Sequence, residues 1–317
     1  MKLSIVATLY RSATYINEFC TRAATVAQEL VGDDYEIILV NDGSPDASLA
    51  IAVSAIETNQ HIVVVDLSKN FGHHKAMMTG LAHAQGEHVF LIDSDLEEEP
   101  EWALPFRELL DREHADVVYG VQSRRKGNIA ERLSGAAFFR LFRLLTGISQ
   151  PDNIVTARYM TRRYVQALLL HQEREINIGG LWIITGFHQV PYVIQKHATS
   201  PTTYTFTRKL EHLINAVTSF SSLPLVFTFY TGLVISFTAV LYIIYSMVIR
   251  FLYPSMPVGF TALIASIWFF SGLIVFFLGI QGIYLSKIFT EVKQRPYTIV
   301  RMIYRHDNAS RSSAAQD

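Results

Sequence analysis

Between Leu213 and Ser286 the chain carries a single Asp, Glu, Lys or Arg, Arg250, and no other feature limits its fold so strongly. Arg250 divides the region into two apolar runs, Leu225–Ile249 and Val258–Ser286. Each exceeds the roughly 20 residues a helix needs to cross the ~30 Å hydrocarbon core of a bilayer. Core helices of soluble proteins rarely run that far without a charge, so the pattern predicts two transmembrane helices. The linker Arg250–Pro257, RFLYPSMP, holds two prolines, which end helices and favour a tight turn between antiparallel neighbours.

Two crossings leave both termini on one side. Lys287, Lys293, Arg295, Arg301, Arg305 and Arg311 follow the second run, against one basic residue in the linker. Positive charge collects on the cytoplasmic side, which places the N-terminal region and a basic tail, 287–317, in the cytoplasm. Upstream, Phe206, Leu210, Leu213, Ile214, Val217 and Phe220 recur at three- and four-residue intervals, with Arg208, Lys209 and Glu211 between them. That spacing predicts an amphipathic juxtamembrane helix over 206–222, lying at the headgroup level. The start, MKLSIVATLY, turns polar too early for a signal peptide. Cys20 is the only cysteine, so neither a disulfide framework nor a thiolate metal cluster is expected, as befits a reducing compartment. A net charge of −1 gives no basis for a nucleic-acid partner.

The first 120 residues read differently. Leu3–Leu9, Glu36–Val40, Ile62–Leu67 and His88–Ile92 are short runs rich in Val, Ile and Leu, and Tyr15–Leu30, Ala47–Thr58 and Lys75–Gln85 between them have helical spacing. Apolar strands alternating with helices predict an α/β domain with a mostly parallel sheet covered on both faces. Polar residues follow the strands: Asn41-Asp42-Gly43-Ser44, Asp66 and Asp93-Ser94-Asp95. Ligands of open α/β sheets bind outside the carboxyl ends of the strands, so these residues mark the expected pocket. No G-x-G-x-x-G follows the first strand and no G-x-x-x-x-G-K-[ST] occurs, which removes the main support for dinucleotide and P-loop readings. The run VFLIDSDLEEEP, Val89–Pro100, ends an apolar strand in two carboxylates at i and i+2, a place where a divalent cation could sit. Glu97, Glu98 and Glu99 read as solvated acids. His73 and His74 are adjacent and point about 100° apart on a helix, which suits a cap or surface role better than joint metal ligation. Trp102 and Trp182 read as core residues.

In order, these segments resemble the family 2 glycosyltransferases with a GT-A (Rossmann-like) fold. Within them the chain is similar to the membrane-anchored polyprenyl-phosphate group, which includes dolichyl-phosphate mannose synthase and the bacterial O-antigen (bactoprenol) glucosyltransferases. SIVATLY matches the opening strand, and ILVNDGSPDAS the V-D-D-G-S-x-D segment. LSKNFGHHKAMMTGLAHAQGEHVFLIDSDLEEEPE matches the R-N-F-G to D-x-D-L-Q-x-P-P-E stretch, and ADVVYGVQSRR and YLSKIFTEVKQRP also fit. The resemblance covers almost the whole chain. It implies a cytoplasmic catalytic domain over 1–205, spans at 225–249 and 258–286, and a multi-pass protein of the bacterial inner membrane.

The resemblance also implies an inverting enzyme that moves one sugar from a nucleotide-diphosphate donor to polyprenyl (undecaprenyl) phosphate, for cell-envelope polysaccharide or glycan modification. Asp93 and Asp95 would bind Mg2+ or Mn2+, with Asp95 the direct ligand, and Leu9, Tyr10, Asp42, Asn70, Lys75 and Ser94 would line the nucleotide site. Arg124 and Arg132 would hold the acceptor phosphate, within the basic run Arg124, Arg125, Lys126, Arg132 and Arg140. A homo-oligomer, a tetramer, is implied as well. Several positions depart from the pattern. Y-N-E is Tyr10-Arg11-Ser12, D-F-R-L is Thr156-Ala157-Arg158-Tyr159 without its acid, and Gly135 stands for the usual serine beside Ser134. Q-x-x-R-W is absent, which favours a single transfer over processive synthesis. The alternatives are transfer to a sugar hydroxyl of a lipid-linked intermediate, which needs a general base, and a non-catalytic nucleotide-binding scaffold.

Overall fold

The computed structural model describes residues 1–122, 153–195, 217–218, 221–252 and 260–306. The predicted amphipathic helix over 206–222 falls almost wholly outside the described residues, as does much of the proline-bearing linker.

Four parallel strands form the centre: β1 (Leu3–Leu9), β2 (Tyr35–Asn41), β3 (Ile62–Leu67) and β4 (His88–Asp93), side by side in the order β3-β2-β1-β4. Every residue of β1, β2 and β3 is buried, which is why their sequences are apolar on both faces rather than alternating. The strands expected at Leu3–Leu9 and Ile62–Leu67 form with those bounds, and the other two extend to Tyr35–Asn41 and His88–Asp93. They are joined by α1 (Ile16–Val31), α2 (Ser48–Thr58) and α3 (His73–His83). The last begins two residues before its expected start, because Gly72 adopts φ +99° and turns the chain into the helix.

Beyond β4 a 3-10 turn at Pro100–Trp102 leads into α4 (Ala103–Glu113) and β5 (Val117–Gln122). After it come β6 (Ile154–Thr161), α5 (Arg162–Leu169), α6 (Ile178–Ile184) and β7 (Gln189–Ile194). Strand β6 lies antiparallel between β4 and β5, and β7 runs parallel to β5. Among the described residues the sheet thus has eight strands in the order β7-β5-β6-β4-β1-β2-β3-β8, where β8 is Val300–Tyr304. One face carries the main core, where Ile5, Leu39, Val64, Phe90 and Tyr159 pack under Phe19 and Ala23 of α1, Ile56 of α2 and Phe106 of α4. The Phe90 and Phe106 rings meet edge to face at 6.1 Å, and Trp102 and Trp182 are buried, as expected.

The second compact unit contains α7 (Leu223–Leu252) and α8 (Phe260–Val292). Phe227, Phe237, Trp268 and Phe276 are exposed along them. Within α8, Ser266–Val292 is long and apolar enough to cross a membrane, with mean hydropathy 1.9 and none of it buried. Among the described residues of α7, the apolar stretch Leu223–Ala239 is shorter.

The expected tail 287–317 needs correction. Helix α8 continues to Val292, because Ile288, Phe289 and Val292 extend its apolar pattern past the first lysine. The chain then forms β8 (Val300–Tyr304), which pairs antiparallel with β3 and closes that side of the sheet. The run VRMIY forms this strand although two of the basic residues, Arg301 and Arg305, lie in and beside it.

Gly43 shows how closely the strand ends pack. Its φ is +58°, and a Cβ there would overlap the backbone of Lys69 and Asn70. Gly43→Ala is expected to cost at least about 1 kcal/mol, read as a lowered midpoint in thermal or denaturant unfolding of the purified protein. An unchanged midpoint would contradict the close packing of these two loops.

Candidate active site

Strand register builds the site. β1 pairs with β4 so that Thr8 lies beside Asp93, and with β2 so that Leu9 lies beside Asn41. β2 in turn sets Asn41 beside Asp66 of β3. A row of polar side chains therefore runs along the carboxyl edge of four parallel strands, where apolar burial ends.

Asp93 closes β4. Its Oδ2 accepts a hydrogen bond from Thr156 Oγ1 of β6 at 2.9 Å, and its Oδ1 lies 3.3 Å from His73 Nε2. The other ring nitrogen of His73, Nδ1, lies 3.0 Å from Thr8 Oγ1. Burial opposes charge on His73, but the hydrogen bond and charge of Asp93, with the charges of Asp42 and Asp95, outweigh it and raise its pKa above the ordinary histidine value. Asp95 stands two residues on, partly exposed, with Oδ1 accepting from the Glu97 N–H at 3.0 Å. Between them Ser94 is buried, and its hydroxyl donates to Thr8 O at 2.8 Å. Leu96 follows at φ +59°, a left-handed conformation that is costly for a bulky residue. Such strain is characteristic of functional turns.

Among the described residues, no group of three or more His, Cys, Asp and Glu forms a metal site by itself. Two carboxylates at a strand end suit a different arrangement. They offer hard oxygen donors and leave the other positions of Mg2+ or Mn2+ to water and substrate phosphates.

Two loops frame this row. Asp42 is buried, and its carboxylate accepts from the N–H groups of Phe71 (2.7 Å) and Gly72 (3.0 Å), holding the segment that leads into α3. The loop after β1 is tied to the loop after β2. Arg11 N–H donates to Ser44 Oγ (2.7 Å), Ser12 N–H to Ser48 Oγ (3.0 Å) and Ala13 N–H to Asp46 Oδ2 (3.3 Å). Arg11 has φ +56°, and its guanidinium lies 5.6 Å from the centre of the exposed Tyr10 ring.

Beneath Thr156 lies a buried charged group. Glu98 is 1% exposed and its Oε1 accepts from the Thr156 N–H at 3.0 Å. Two residues along the same face of β6, Arg158 is also 1% exposed, with its guanidinium 3.5 Å from the Trp182 ring centre and 5.0 Å from that of Tyr119. Burial lowers its pKa to about 10, while Tyr164, Tyr119 and Glu98 act in the opposite direction. Aromatic faces and a nearby carboxylate thus stabilise a cation that water does not reach.

The family model for glycosyl transferase family 2 matches residues 4–169, which takes in β1 to β6 and the whole row. The chain belongs to glycosyl transferase family 2. A putative glycosyltransferase of Mycobacterium tuberculosis is 48% identical over 318 residues, covering 99% of this chain and 92% of its own length. The undecaprenyl-phosphate 4-deoxy-4-formamido-L-arabinose transferase of an Enterobacter is 28% identical over 320 residues, covering 99% of this chain and 97% of its own. A prophage bactoprenol glucosyl transferase homologue of Escherichia coli is 27% identical over 307 residues, covering 96% and 99%.

Set against this family 2 glycosyltransferase site, the expected residues divide. Asp93 ends β4 and Asp95 lies two residues on, Tyr10 is exposed, and Asn70 and Lys75 lie on the loop before α3 and in its first turn. Leu9 is wholly buried and contributes a backbone carbonyl, which accepts from Asp42 N–H at 3.0 Å. Ser94 likewise turns its hydroxyl into the protein, and the Asp42 carboxylate accepts from the Phe71 and Gly72 N–H groups. Arg124 and Arg132 lie outside the described residues. Glu98 is not a solvated acid. His73, expected as a cap or surface residue, is exposed at the first position of α3, and its Nε2 also lies beside Asp93. Thr156 was noted only for the acid it replaces. Its position in the D-F-R-L segment was the available signal, whereas nothing local marked His73.

Asp46 offers a test of the loop ties. Burial works against its charge, but hydrogen bonds from the Ser44 and Ser48 hydroxyls and the Ser48 and Ala13 N–H groups outweigh it and hold its pKa at about 2. A depressed folded-state pKa stabilises the fold above the unfolded value, near 4, and that contribution is lost as pH falls through about 2. Asp46→Asn is therefore expected to lower the unfolding temperature at pH 7, with the difference shrinking as the pH is taken from 4 towards 2. A difference independent of pH would contradict it.

Proposed function

We propose that this family 2 glycosyltransferase is a membrane-anchored, inverting enzyme that moves one sugar from a nucleotide-diphosphate donor to polyprenyl phosphate. The observation that carries the reading is the full-length likeness to one relative named for undecaprenyl phosphate and one named for bactoprenol, which spans the sheet and the long apolar helices alike. The exposed apolar surface of α7 and α8 supports two crossings of the bacterial inner membrane, with the sheet domain in the cytoplasm. Such an anchor keeps the enzyme where a long polyprenyl chain is dissolved.

The residues take roles that their chemistry allows. Asp93 and Asp95 would hold Mg2+ or Mn2+, which when bound neutralises charge on the departing nucleoside diphosphate. His73 and Thr156 fix the Asp93 carboxylate so that it meets its ligand without rearranging. Tyr10, Asn70 and Lys75 border the nucleotide. Arg124 and Arg132 hold and orient the acceptor phosphate. One of its oxygens attacks the anomeric carbon from the side opposite the diphosphate. The new C–O bond forms as the bond to the diphosphate oxygen breaks, and the configuration inverts. A phosphate monoester is already anionic, so no proton need be removed.

That matters here because Thr156 stands where the family's acid would be. Transfer to a sugar hydroxyl would call for a base, and Glu98, bound to the Thr156 N–H, is buried. The anionic acceptor suits these residues better.

Purified full-length protein, incubated with undecaprenyl phosphate, Mg2+ and a panel of nucleotide sugars, is expected to give one lipid-linked sugar phosphate, identified by mass. No product from any donor, beside an active control enzyme, would contradict the reading. Asp95→Ala should lower turnover at least about a hundredfold, the equivalent of roughly 3 kcal/mol, with the fold intact by circular dichroism. Full activity in that variant would remove Asp95 from the proposed metal site.

A further inference from the structure

The segment that follows α8 reaches the candidate site. Strand β8 pairs with β3 through Asp66 opposite Met302 and Leu67 opposite Val300, with a register shift between them, so Arg301 is the extra residue of a bulge. A bulge re-aims the side chain it carries. Here the Arg301 guanidinium turns to the end of β3, where Nη1 lies 3.4 Å from Asp66 Oδ2 and Nη2 donates to Ser68 O at 2.7 Å. The neighbouring Ile299 O accepts from Ser68 N–H at 2.9 Å. Both backbone groups of Ser68 are thus held by residues 299–301. The hydroxyls of Thr298 and Thr79, on α3, lie 2.8 Å apart.

These contacts lead inward. Asp66 is 1% exposed, and its other oxygen accepts from Asn41 Nδ2 at 2.8 Å. Asn41 Oδ1 accepts from Ser44 N–H at 3.3 Å. The loop from Ser68 to Gly72 is therefore gripped at its start by the β8 segment and at its end by Asp42. Asn70, in the middle, is exposed between the two grips.

We propose that Arg301 is a positioning residue for the nucleoside-diphosphate part of the donor, fixing the Ser68–Gly72 loop and the Asn41–Asp66 pair in the geometry that binds it. The proposal rests on the reading that the donor occupies this strand edge. Without Arg301 the buried Asp66 carboxylate keeps the Asn41 amide but loses its cation, and a buried charge left unpaired drives local rearrangement. The carbonyl of Ser68 is released at the same moment. The donor site is then completed by residues that come after the membrane-spanning segment.

The test uses the full-length protein, binding of UDP and of GDP with Mn2+ by calorimetry, and steady-state kinetics with the active donor. Arg301→Ala is expected to weaken binding of the preferred nucleotide about tenfold and to raise the donor KM equally, with kcat within twofold of wild type. Arg301→Lys, which keeps a cation for Asp66 but loses the forked second bond, should weaken it about threefold and provides the reading if the alanine variant does not fold. Arg305→Ala removes the same charge from the same segment and should bind as wild type does. Folded Arg301 variants that bind within 1.5-fold of wild type would overturn the proposal, as would an equal loss in Arg305→Ala. Wild-type protein that binds neither nucleotide would overturn the donor-site reading itself, and this inference with it.

Discussion

The site depends on the register of four parallel strands. Because β1, β2 and β3 are buried along their length, β4 is buried between its ends, and all four end within two residues of one another, the polar side chains at their ends land on a common edge. Asp93, Thr8, Asn41 and Asp66 are neighbours for that reason alone. A slip of one residue in any of these strands would move its side chains to the other face of the sheet and break the row.

Onto this row the fold adds partners that orient the carboxylates. Asp93 is approached from one side by α3, through His73, and from the other by β6, through Thr156. Glu98 binds the backbone of Thr156 and lies in the field of the buried Arg158, which joins the turn after β4 to the floor formed by β6 and α6. Each arm of the site is thereby tied to an element on another part of the sheet. Asp95 is partly exposed at the turn where Leu96 adopts a left-handed conformation.

Much of this was legible in the sequence, and the reasons are local. The strands show as runs of Val, Ile and Leu because both their faces are buried. Their ends show as the first polar residues, Asp93 at the end of β4 among them. The failures share a cause. His73 meets Asp93 across twenty positions of sequence, by the way α3 lies on the sheet, and helical spacing between His73 and His74 carries no trace of that. Glu98 looked solvated because it sits in an acidic run, yet only the turn of the chain at Leu96 decides which of those acids goes inward.

The C-terminal segment teaches the same lesson at larger scale. Six basic residues after an apolar run read as a cytoplasmic tail. Arg301 sits in a short strand whose partner, β3, lies more than two hundred residues earlier. Such pairings follow from an open sheet edge, which no local pattern announces. The central claim is that Asp93 and Asp95 hold a divalent cation against the donor's diphosphate. Electron paramagnetic resonance of Mn2+ titrated into the full-length protein with a nucleoside diphosphate tests it most directly. The account predicts one bound Mn2+ per chain that requires the nucleotide and is lost in Asp95→Ala. Equal Mn2+ binding by that folded variant would contradict it.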